Sequence, residues 1–193
     1  SDESRGLGDV YKRQAFLLLF TILFYVFVYT IWLKRKTPQN IVIGGASGAL
    51  PPVIGWAIAT NSISLESIAF FLIIFFWTPS HFWALSLYKA DDYKKAGIPM
   101  LPVTNGIQDT KKNILIYSLL MIPTIVFPYY IGFVGEVFLT LSLLLTFYYN
   151  LICYQLYNYK VGKFNIKKAR HIFSYSIIYL FLIFVFFLVD KVL

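Results

Sequence analysis

Residues 68–87 read IAFFLIIFFWTPSHFWALSL, and none of them is Lys, Arg, Asp or Glu. A helix needs about 20 predominantly apolar residues to cross the hydrocarbon core of a bilayer, so this stretch predicts a transmembrane helix. Five other runs have the same character: 15–33, 41–59, 114–133, 137–156 and 172–189. The sequence therefore predicts an all-α fold, a polytopic transmembrane helical bundle of about six spans.

Composition excludes several other classes of protein. Of 193 residues, 59% are hydrophobic and 13% are charged, about half the charged fraction of a typical soluble domain. The net charge of +8 does not indicate nucleic-acid binding, because the Lys and Arg residues lie in short segments that flank the spans. Cys153 has no second cysteine with which to form a disulfide, and no Cys/His spacing typical of zinc is present.

The connecting segments alternate in charge, which predicts how the spans are threaded. The basic segments are 34–36, 89–112 and 160–170, and the segments without Lys or Arg are 60–67 and 132–136. Cytoplasmic loops are enriched in Lys and Arg. We therefore expect an integral protein of a bacterial inner membrane, with Asp91 and Asp92 on the cytoplasmic face and the C-terminus on the opposite one.

The first fourteen residues do not fit this alternation, because Arg5, Lys12 and Arg13 precede the first span on the outer side. Their composition is that of neither a signal peptide nor a transit peptide. We therefore expect residues 1–14 to be non-native sequence and residues 15–193 to form a membrane domain that continues a longer protein.

Two spans contain residues that interrupt helices. Residues 44–52 read GGASGALPP, which allows close helix packing and then breaks the backbone hydrogen-bond ladder. Pro123 and Pro128 are expected to interrupt the fourth span. Packing of small residues explains the first break, but broken helices also line substrate sites in transporters, so a small membrane transporter remains an alternative.

The segment after the third span contains most of the ionisable chemistry. Residues 88–97 read YKADDYKKAG. Vicinal carboxylates at a membrane boundary suit Mg²⁺, which binds one or two carboxylates together with substrate phosphates. Asp91 and Asp92 are equally typical of a solvated loop whose charges compensate. Within the span, His81 is a candidate haem ligand or proton donor, or a histidine that hydrogen-bonds a neighbouring helix.

Five motifs follow one another in a specific order. They are YT with KRKTP within 29–38, NIVIGG at 40–45, GALPP with GW within 48–56, WTP with HFWAL within 77–85, and DYK with AGIPMLPV within 92–103. With them, the chain resembles the UbiA-type intramembrane prenyltransferases, and within that family the branch that prenylates haem. The family has nine transmembrane helices and two acidic motifs on cytoplasmic loops. The resemblance implies that the six spans are helices four to nine and that this stretch, lacking the first acidic motif, is inactive alone.

The resemblance also implies an activity. A farnesyl group would pass from farnesyl diphosphate to a vinyl group of haem b, giving haem O for haem–copper oxidase assembly. Asp92, with Asp91 as a second ligand, would hold a divalent metal, expected to be Mg²⁺, and Lys94 and Lys95 would bind the diphosphate. Haem b is then a substrate and not a resident cofactor. The other partners are the lipid bilayer and the terminal oxidase assembly machinery.

Eight further residues are expected to contact the substrates or shape their site. They are Lys34 and Arg35 for the diphosphate or the haem propionates, His81 for the haem, Asn40 for orienting a loop, and the cavity aromatics Trp77, Trp83, Tyr88 and Tyr93. Anchoring at the membrane interface explains the aromatic residues equally well.

Two other functions remain open beside the transporter. A prenyltransferase with a quinone or chlorophyll acceptor shares the diphosphate chemistry, although Ala96 stands where quinone-forming relatives carry a second Asp. A structural subunit of a respiratory complex would need no diphosphate at all.

Overall fold

The structure is a computed structural model that describes residues 2–159 and 166–192, with only the backbone described for residues 2–11 and 13. The predicted basic residues Lys160 and Lys163 therefore lie outside the described residues. The described helices are α1 (Asp2–Leu23), which continues as a π-helix (Phe24–Leu33), α2 (Asn40–Gly48), α3 (Pro51–Thr60), α4 (Leu65–Tyr88), α5 (Ala90–Lys95), α6 (Leu101–Thr104), α7 (Gly106–Tyr130), α8 (Glu136–Tyr157) and α9 (Ile166–Val192).

Six stretches of the described chain are long and apolar enough to cross a bilayer, which confirms the prediction of about six spans. They are Gln14–Leu33, Asn40–Thr60, Leu65–Tyr88, Gly106–Tyr130, Glu136–Tyr157 and Ile166–Val192. The second and third spans and the fourth and fifth spans are joined by short turns, and the third and fourth by a segment that contains α5 and α6; neighbouring spans pack along each other. The protein is an integral membrane protein.

The packing of neighbouring spans brings the three basic segments to one end of the bundle, which we call the basic end. Two contacts fix this end: the Lys111 ammonium donates to the Tyr159 carbonyl at 2.7 Å, and the Arg170 guanidinium lies 5.4 Å from the centre of the Tyr88 ring. The segments 61–64 and 131–135 lie at the opposite end.

The fourth span starts earlier than the sequence predicts. Residues 106–112 were expected to belong to a loop, but α7 begins at Gly106 and carries Lys111 in its second turn. The Lys111 side chain is only 1% exposed, because its ammonium reaches the carbonyl that follows α8. The polar start of α7 is thus helical because it caps the end of a neighbouring helix.

The two predicted helix interruptions have different outcomes. The second span is broken at residues 49–50, between α2 and α3, as predicted. The prediction for Pro123 and Pro128 was wrong, because α7 continues through both prolines to Tyr130. A proline removes one backbone donor, and transmembrane helices tolerate the loss where neighbouring helices and Ser or Thr side chains satisfy the freed carbonyls.

Helix α4 lies at the centre of the bundle and packs against α2, α7 and α9. Its interior positions hold the fully buried Ile73, Trp83 and Ala84. Buried hydroxyl pairs also join the helices: Ser80 with Tyr149 at 2.9 Å and Thr146 with Tyr179 at 2.9 Å. The register of α4, α8 and α9 is therefore set by polar contacts as well as by packing.

Asp190 fixes the opposite end of the bundle. Its carboxylate, in the last turns of α9, accepts hydrogen bonds from the backbone N–H groups of Gly135 at 2.7 Å and Phe138 at 3.0 Å. These donors lie at the start of α8, where backbone N–H groups lack helical partners. The Lys191 ammonium donates to the Phe133 carbonyl of the same turn. The end of α9 thus caps α8 and holds the turn before it.

Candidate active site

A cavity of about 460 Å³ lies between the π-helix, α2 and α4. We call it the α2–α4 cavity. Tyr25 and Tyr29 line it from the π-helix, the glycines of α2 line a second side, and Trp77, Thr78 and Phe82 of α4 line a third. Most of this lining is apolar, so the cavity suits a hydrocarbon or a flat aromatic ligand.

The glycines of α2 let the aromatic side chains close around this cavity. A Cβ atom on Gly44 would lie 2.4 Å from Cδ2 of Tyr29, and one on Gly45 would lie 3.1 Å from Cγ2 of Thr78. A Cβ atom on Gly48, which also lines the cavity, would have no heavy atom within 4 Å. Gly44 is therefore required by the position of Tyr29, whereas Gly48 leaves open space.

Tyrosines connect the α2–α4 cavity with the basic end. Tyr29 lines the cavity. The Lys34 ammonium lies 6.0 Å from the centre of the Tyr29 ring. Tyr93 of α5 is close enough to Tyr29 to interact with it electrostatically. Burial raises the pKa of Tyr93 above its ordinary value of 10.0, and the nearby Tyr88 hydroxyl adds to the effect. Tyr93 is thus a neutral phenol at physiological pH. The acidic segment on α5 therefore lies at the end of the bundle towards which Tyr29 and Lys34 extend from the cavity.

The acidic segment is exposed and partly paired. Asp91 and Asp92 start the short helix α5, and both are exposed. The Asp92 carboxylate accepts a hydrogen bond from the Lys89 ammonium at 3.0 Å. Lys94 and Lys95 end the same helix and are also exposed. Two carboxylates and three ammonium groups thus occupy seven consecutive residues.

Among the described residues, no group of three or more His, Cys, Asp or Glu side chains is placed to hold a metal ion. A preformed cage for a metal is therefore not present in this part of the chain. Two exposed carboxylates do fit a hard cation that takes one or two carboxylates and completes its shell with substrate phosphates and water. Asp91 and Asp92 are compatible with that arrangement.

His81 is held rigidly between α4 and α9. Its ring stacks on Trp77 at 4.3 Å and on Phe173 at 4.6 Å between ring centres. The Ser176 hydroxyl oxygen lies 2.6 Å from both the Phe173 carbonyl and His81 Nδ1. With its one proton donated to the carbonyl, the Ser176 oxygen accepts from the His81 Nδ1–H, and the lone pair of a neutral His81 is then on Nε2.

The other predicted residues fall into two groups. Trp77 lines the cavity and donates its indole N–H to the Ser176 carbonyl at 2.9 Å, and Tyr88 faces Phe173 and Arg170. Trp83 is fully buried, packs edge-on against Tyr117 of α7 and does not line the cavity. Its role at the site stays a prediction.

Arg35 lies between the π-helix and α2, and Asn40 is the first residue of α2. Arg35 is exposed. Asn40 is 1% exposed, and its amide N–H₂ donates to the carbonyls of Lys34 and Thr37 at 3.3 and 2.8 Å. Asn40 thus holds the backbone that carries Lys34, and its role at the site stays a prediction. No described donor reaches its buried Oδ1 atom.

Sequence reasoning missed Ser176 and Arg170 as parts of this site. Ser176 binds both Trp77 and His81, and Arg170 lies over Tyr88. The only sequence signal for Ser176 is a hydroxyl inside an apolar span, where polar groups face the protein interior.

The profile of the UbiA prenyltransferase family matches residues 10–188. This chain belongs to the UbiA prenyltransferase family. It is 76% identical over 180 residues to the protein named "Protoheme IX farnesyltransferase" of Pelagibacter ubique, covering 93% of this chain and 59% of that relative. Proteins of the same name from Parvibaculum lavamentivorans and Azorhizobium caulinodans are 50% and 53% identical, over 93% and 87% of this chain and 56% and 55% of the relatives.

The chain spans a little over half the length of these curated UbiA relatives. No solved structure matches it. Membership of the UbiA family agrees with the order of the five sequence motifs and with the helical membrane fold.

Replacing Gly44 with Ala should displace the Tyr29 ring, because the new methyl group overlaps it. Overpacking of this kind costs about 1–3 kcal/mol. Thermal unfolding in detergent, followed by circular dichroism, should show a lower midpoint for Gly44→Ala. Gly48→Ala is the matched control on the same helix, and its midpoint should stay near the wild-type value. Equal midpoints for the two variants would contradict this account.

Replacing Ser176 with Ala should release His81 from its single tautomer, because the acceptor of the Nδ1–H is lost. Nitrogen-15 NMR of histidine-labelled protein should show mainly Nδ1-protonated His81 in the wild type and mixed tautomers in Ser176→Ala. Ser174→Ala, on an exposed position of the same helix, is the control. An unchanged His81 signal in Ser176→Ala would disprove the assigned hydrogen bond.

Proposed function

We propose that the protein carrying this chain is a protohaem IX farnesyltransferase, which transfers a farnesyl group from farnesyl diphosphate to a vinyl group of haem b and so makes haem O. The observation that carries the proposal is the 76% identity, over 93% of the chain, to a relative with that name. An apolar cavity beside a charged membrane boundary supports it, since both substrates combine a large apolar body with anionic groups.

The two ends of the site suit the two ends of farnesyl diphosphate. The apolar lining of the α2–α4 cavity suits the farnesyl chain. At the basic end, Lys94 and Lys95 are assigned to the diphosphate, and Lys34 and Arg35 to the diphosphate or the haem propionates. Charge-assisted hydrogen bonds from ammonium and guanidinium groups to phosphate are among the stronger polar contacts in proteins.

Asp92, with Asp91, is assigned to a divalent metal, which we take to be Mg²⁺. When bound, such an ion neutralises the charge that develops on a leaving diphosphate. The Asp92 carboxylate must then exchange its Lys89 partner for the ion. Because this ion pair is exposed, it contributes little free energy and is readily given up.

The reaction produces an allylic cation and a diphosphate anion, and this chain has side chains that can stabilise each of them. The bond between the allylic carbon and the diphosphate oxygen breaks, and a new carbon–carbon bond forms with the haem vinyl group. The ring faces of Tyr29 and Trp77 can stabilise the allylic cation, while the apolar walls exclude water until the bond has formed. Water then adds to the resulting cation and loses a proton, which completes the hydroxyethylfarnesyl group.

His81 is assigned to contact with the haem. Its ring is fixed between Trp77 and Phe173, and the Ser176 contact leaves the lone pair on Nε2. A neutral imidazole with a free lone pair is the form that binds haem iron.

The orientation in a bacterial inner membrane belongs to the same proposal. The basic end, with Lys34, Asp91 and Asp92, is assigned to the cytoplasm, because basic segments remain on that side. The end of α9 then lies on the opposite face. The product would leave the membrane domain for haem–copper oxidase assembly.

Replacing Asp92 with Asn should reduce haem O formation by orders of magnitude without changing membrane insertion. Membranes containing the complete enzyme, of which this chain is a part, are supplied with haem b, farnesyl diphosphate and Mg²⁺, and products are separated by chromatography. Chelation of the metal should stop the wild-type reaction. Asp109→Asn removes another exposed carboxylate at the basic end and should retain activity.

Near-normal turnover in Asp92→Asn would remove Asp92 from the metal site. A product formed with a quinone precursor but not with haem b would refute the acceptor. Absence of any metal-dependent loss of farnesyl diphosphate would favour the transporter or the structural subunit.

Single cysteines should react with a membrane-impermeant thiol reagent from opposite sides of the membrane. The native Cys153 is buried and is the one cysteine of the sequence, so the background is low. Ala96→Cys at the basic end should react in inverted vesicles, and Ser62→Cys at the opposite end should react in right-side-out vesicles. The reverse pattern would overturn the assigned orientation.

A further inference from the structure

A second, smaller cavity lies on the other side of α9 from the candidate active site. It has a volume of about 180 Å³ and is lined by Gln155 near the end of α8, by Lys167, Lys168 and His171 near the start of α9, and by two isoleucines. Liquid water takes about 30 Å³ per molecule, so the cavity holds on the order of six waters or one hydrated phosphate group. We call it the α8–α9 pocket.

The charge around the α8–α9 pocket is not balanced within its own helical hairpin. Residues 137–189 contain no Asp or Glu, whereas Lys167 and Lys168 line the pocket from the first turn of α9. Ammonium groups clustered next to the end of a span attract anionic headgroups, each contributing to the affinity. The pocket therefore favours an anion.

Ring contacts hold the side chains of the pocket in place. The Lys168 ammonium lies 5.2 Å from the centre of the Tyr159 ring. His171 Nε2 lies 3.2 Å from the Tyr148 hydroxyl. If the Tyr148 hydroxyl donates to Nε2, the Nδ1–H of His171 remains as a donor for a ligand. The pocket thus presents hydrogen-bond donors as well as charge.

An exposed apolar strip continues from the pocket along the span. Leu151, Tyr148 and Leu144 lie four, seven and eleven residues before Gln155, so they share its face of α8. They are 41%, 41% and 63% exposed. On α9, Ile178 follows His171 by seven residues and is 55% exposed. A ligand with an anionic head and a hydrocarbon tail matches this arrangement better than a soluble anion does.

We propose that the α8–α9 pocket binds the phosphate headgroup of an anionic phospholipid, with an acyl chain lying along the strip of Leu151, Tyr148 and Leu144. The pocket is separate from the proposed prenyl-transfer site. His171 and Phe173 are two residues apart on α9, so their side chains point about 160° apart around the helix axis, and Phe173 faces His81. The proposal therefore does not depend on the proposed function.

Native mass spectrometry of the full chain in a non-ionic detergent tests the lipid site. Phosphatidylglycerol and phosphatidylcholine of identical acyl chains are titrated in separate experiments, and bound lipids are counted. We expect one saturable phosphatidylglycerol site, at least tenfold tighter than any phosphatidylcholine site. Higher ionic strength should weaken it, because salt screens exposed charges.

Paired variants distinguish lipid binding in the pocket from lipid attraction by the general surface charge. Lys168→Gln should weaken phosphatidylglycerol binding about fivefold, since each cation near the surface contributes on that order, and Lys168→Arg should retain it. Lys112→Gln removes an exposed cation of α7 at the same end and should bind phosphatidylglycerol like the wild type. Circular dichroism of each variant checks that the helices are intact.

Three results would overturn the proposal. The first is equal affinity for the two lipids. The second is equal weakening by Lys168→Gln and Lys112→Gln, which would mean that the basic end attracts anions without a defined site. The third is full displacement of the lipid by inorganic pyrophosphate at concentrations comparable with the lipid, which would assign the pocket to a soluble phosphate.

Discussion

The hydrocarbon core offers no hydrogen-bond partners, so polar side chains inside this bundle must find them within the protein. Ser176 provides a hydrogen-bond partner for two side chains of α4, Trp77 and His81. Its carbonyl accepts from Trp77, and its hydroxyl accepts from His81. Because Trp77 and His81 are one helical turn apart on α4, a single serine fixes both the rotation and the height of α4 against α9. The aromatic wall of the site depends on that register.

From this anchor, aromatic contacts extend in two directions. Trp77 reaches the α2–α4 cavity, while Phe173 leads to Tyr88 and on to Tyr93 at the basic end. The apolar part of the site thus lies within the bundle, and the charged part lies where water is available. An arrangement of this kind avoids the cost of burying carboxylates and ammonium groups in hydrocarbon. It also lets one molecule with an apolar and an anionic end span both regions.

The sequence predicts the spans well because length and apolar composition decide which segments cross a membrane. The break at residues 49–50 was also predictable, since Pro51 and Pro52 follow three glycines within eight residues. The start of α7 was not, because the helical state of its polar residues depends on Lys111 reaching a carbonyl 48 residues away. Motif order identified the family, but the pairing of His81 with Ser176 joins residues 95 positions apart. Such contacts follow from packing and leave no local signal.

The carboxylate of Asp190 has a consequence for how the bundle is assembled. It caps the backbone of Phe138, which lies 52 residues earlier in the chain. A polypeptide enters the membrane in the order of its synthesis, so the hairpin of α7 and α8 is inserted while its turn still lacks this partner. The exposed N–H groups at the start of α8 must be hydrated until α9 has crossed. Insertion of α9 is therefore the event that supplies the acceptor for these N–H groups and completes the cap of α8.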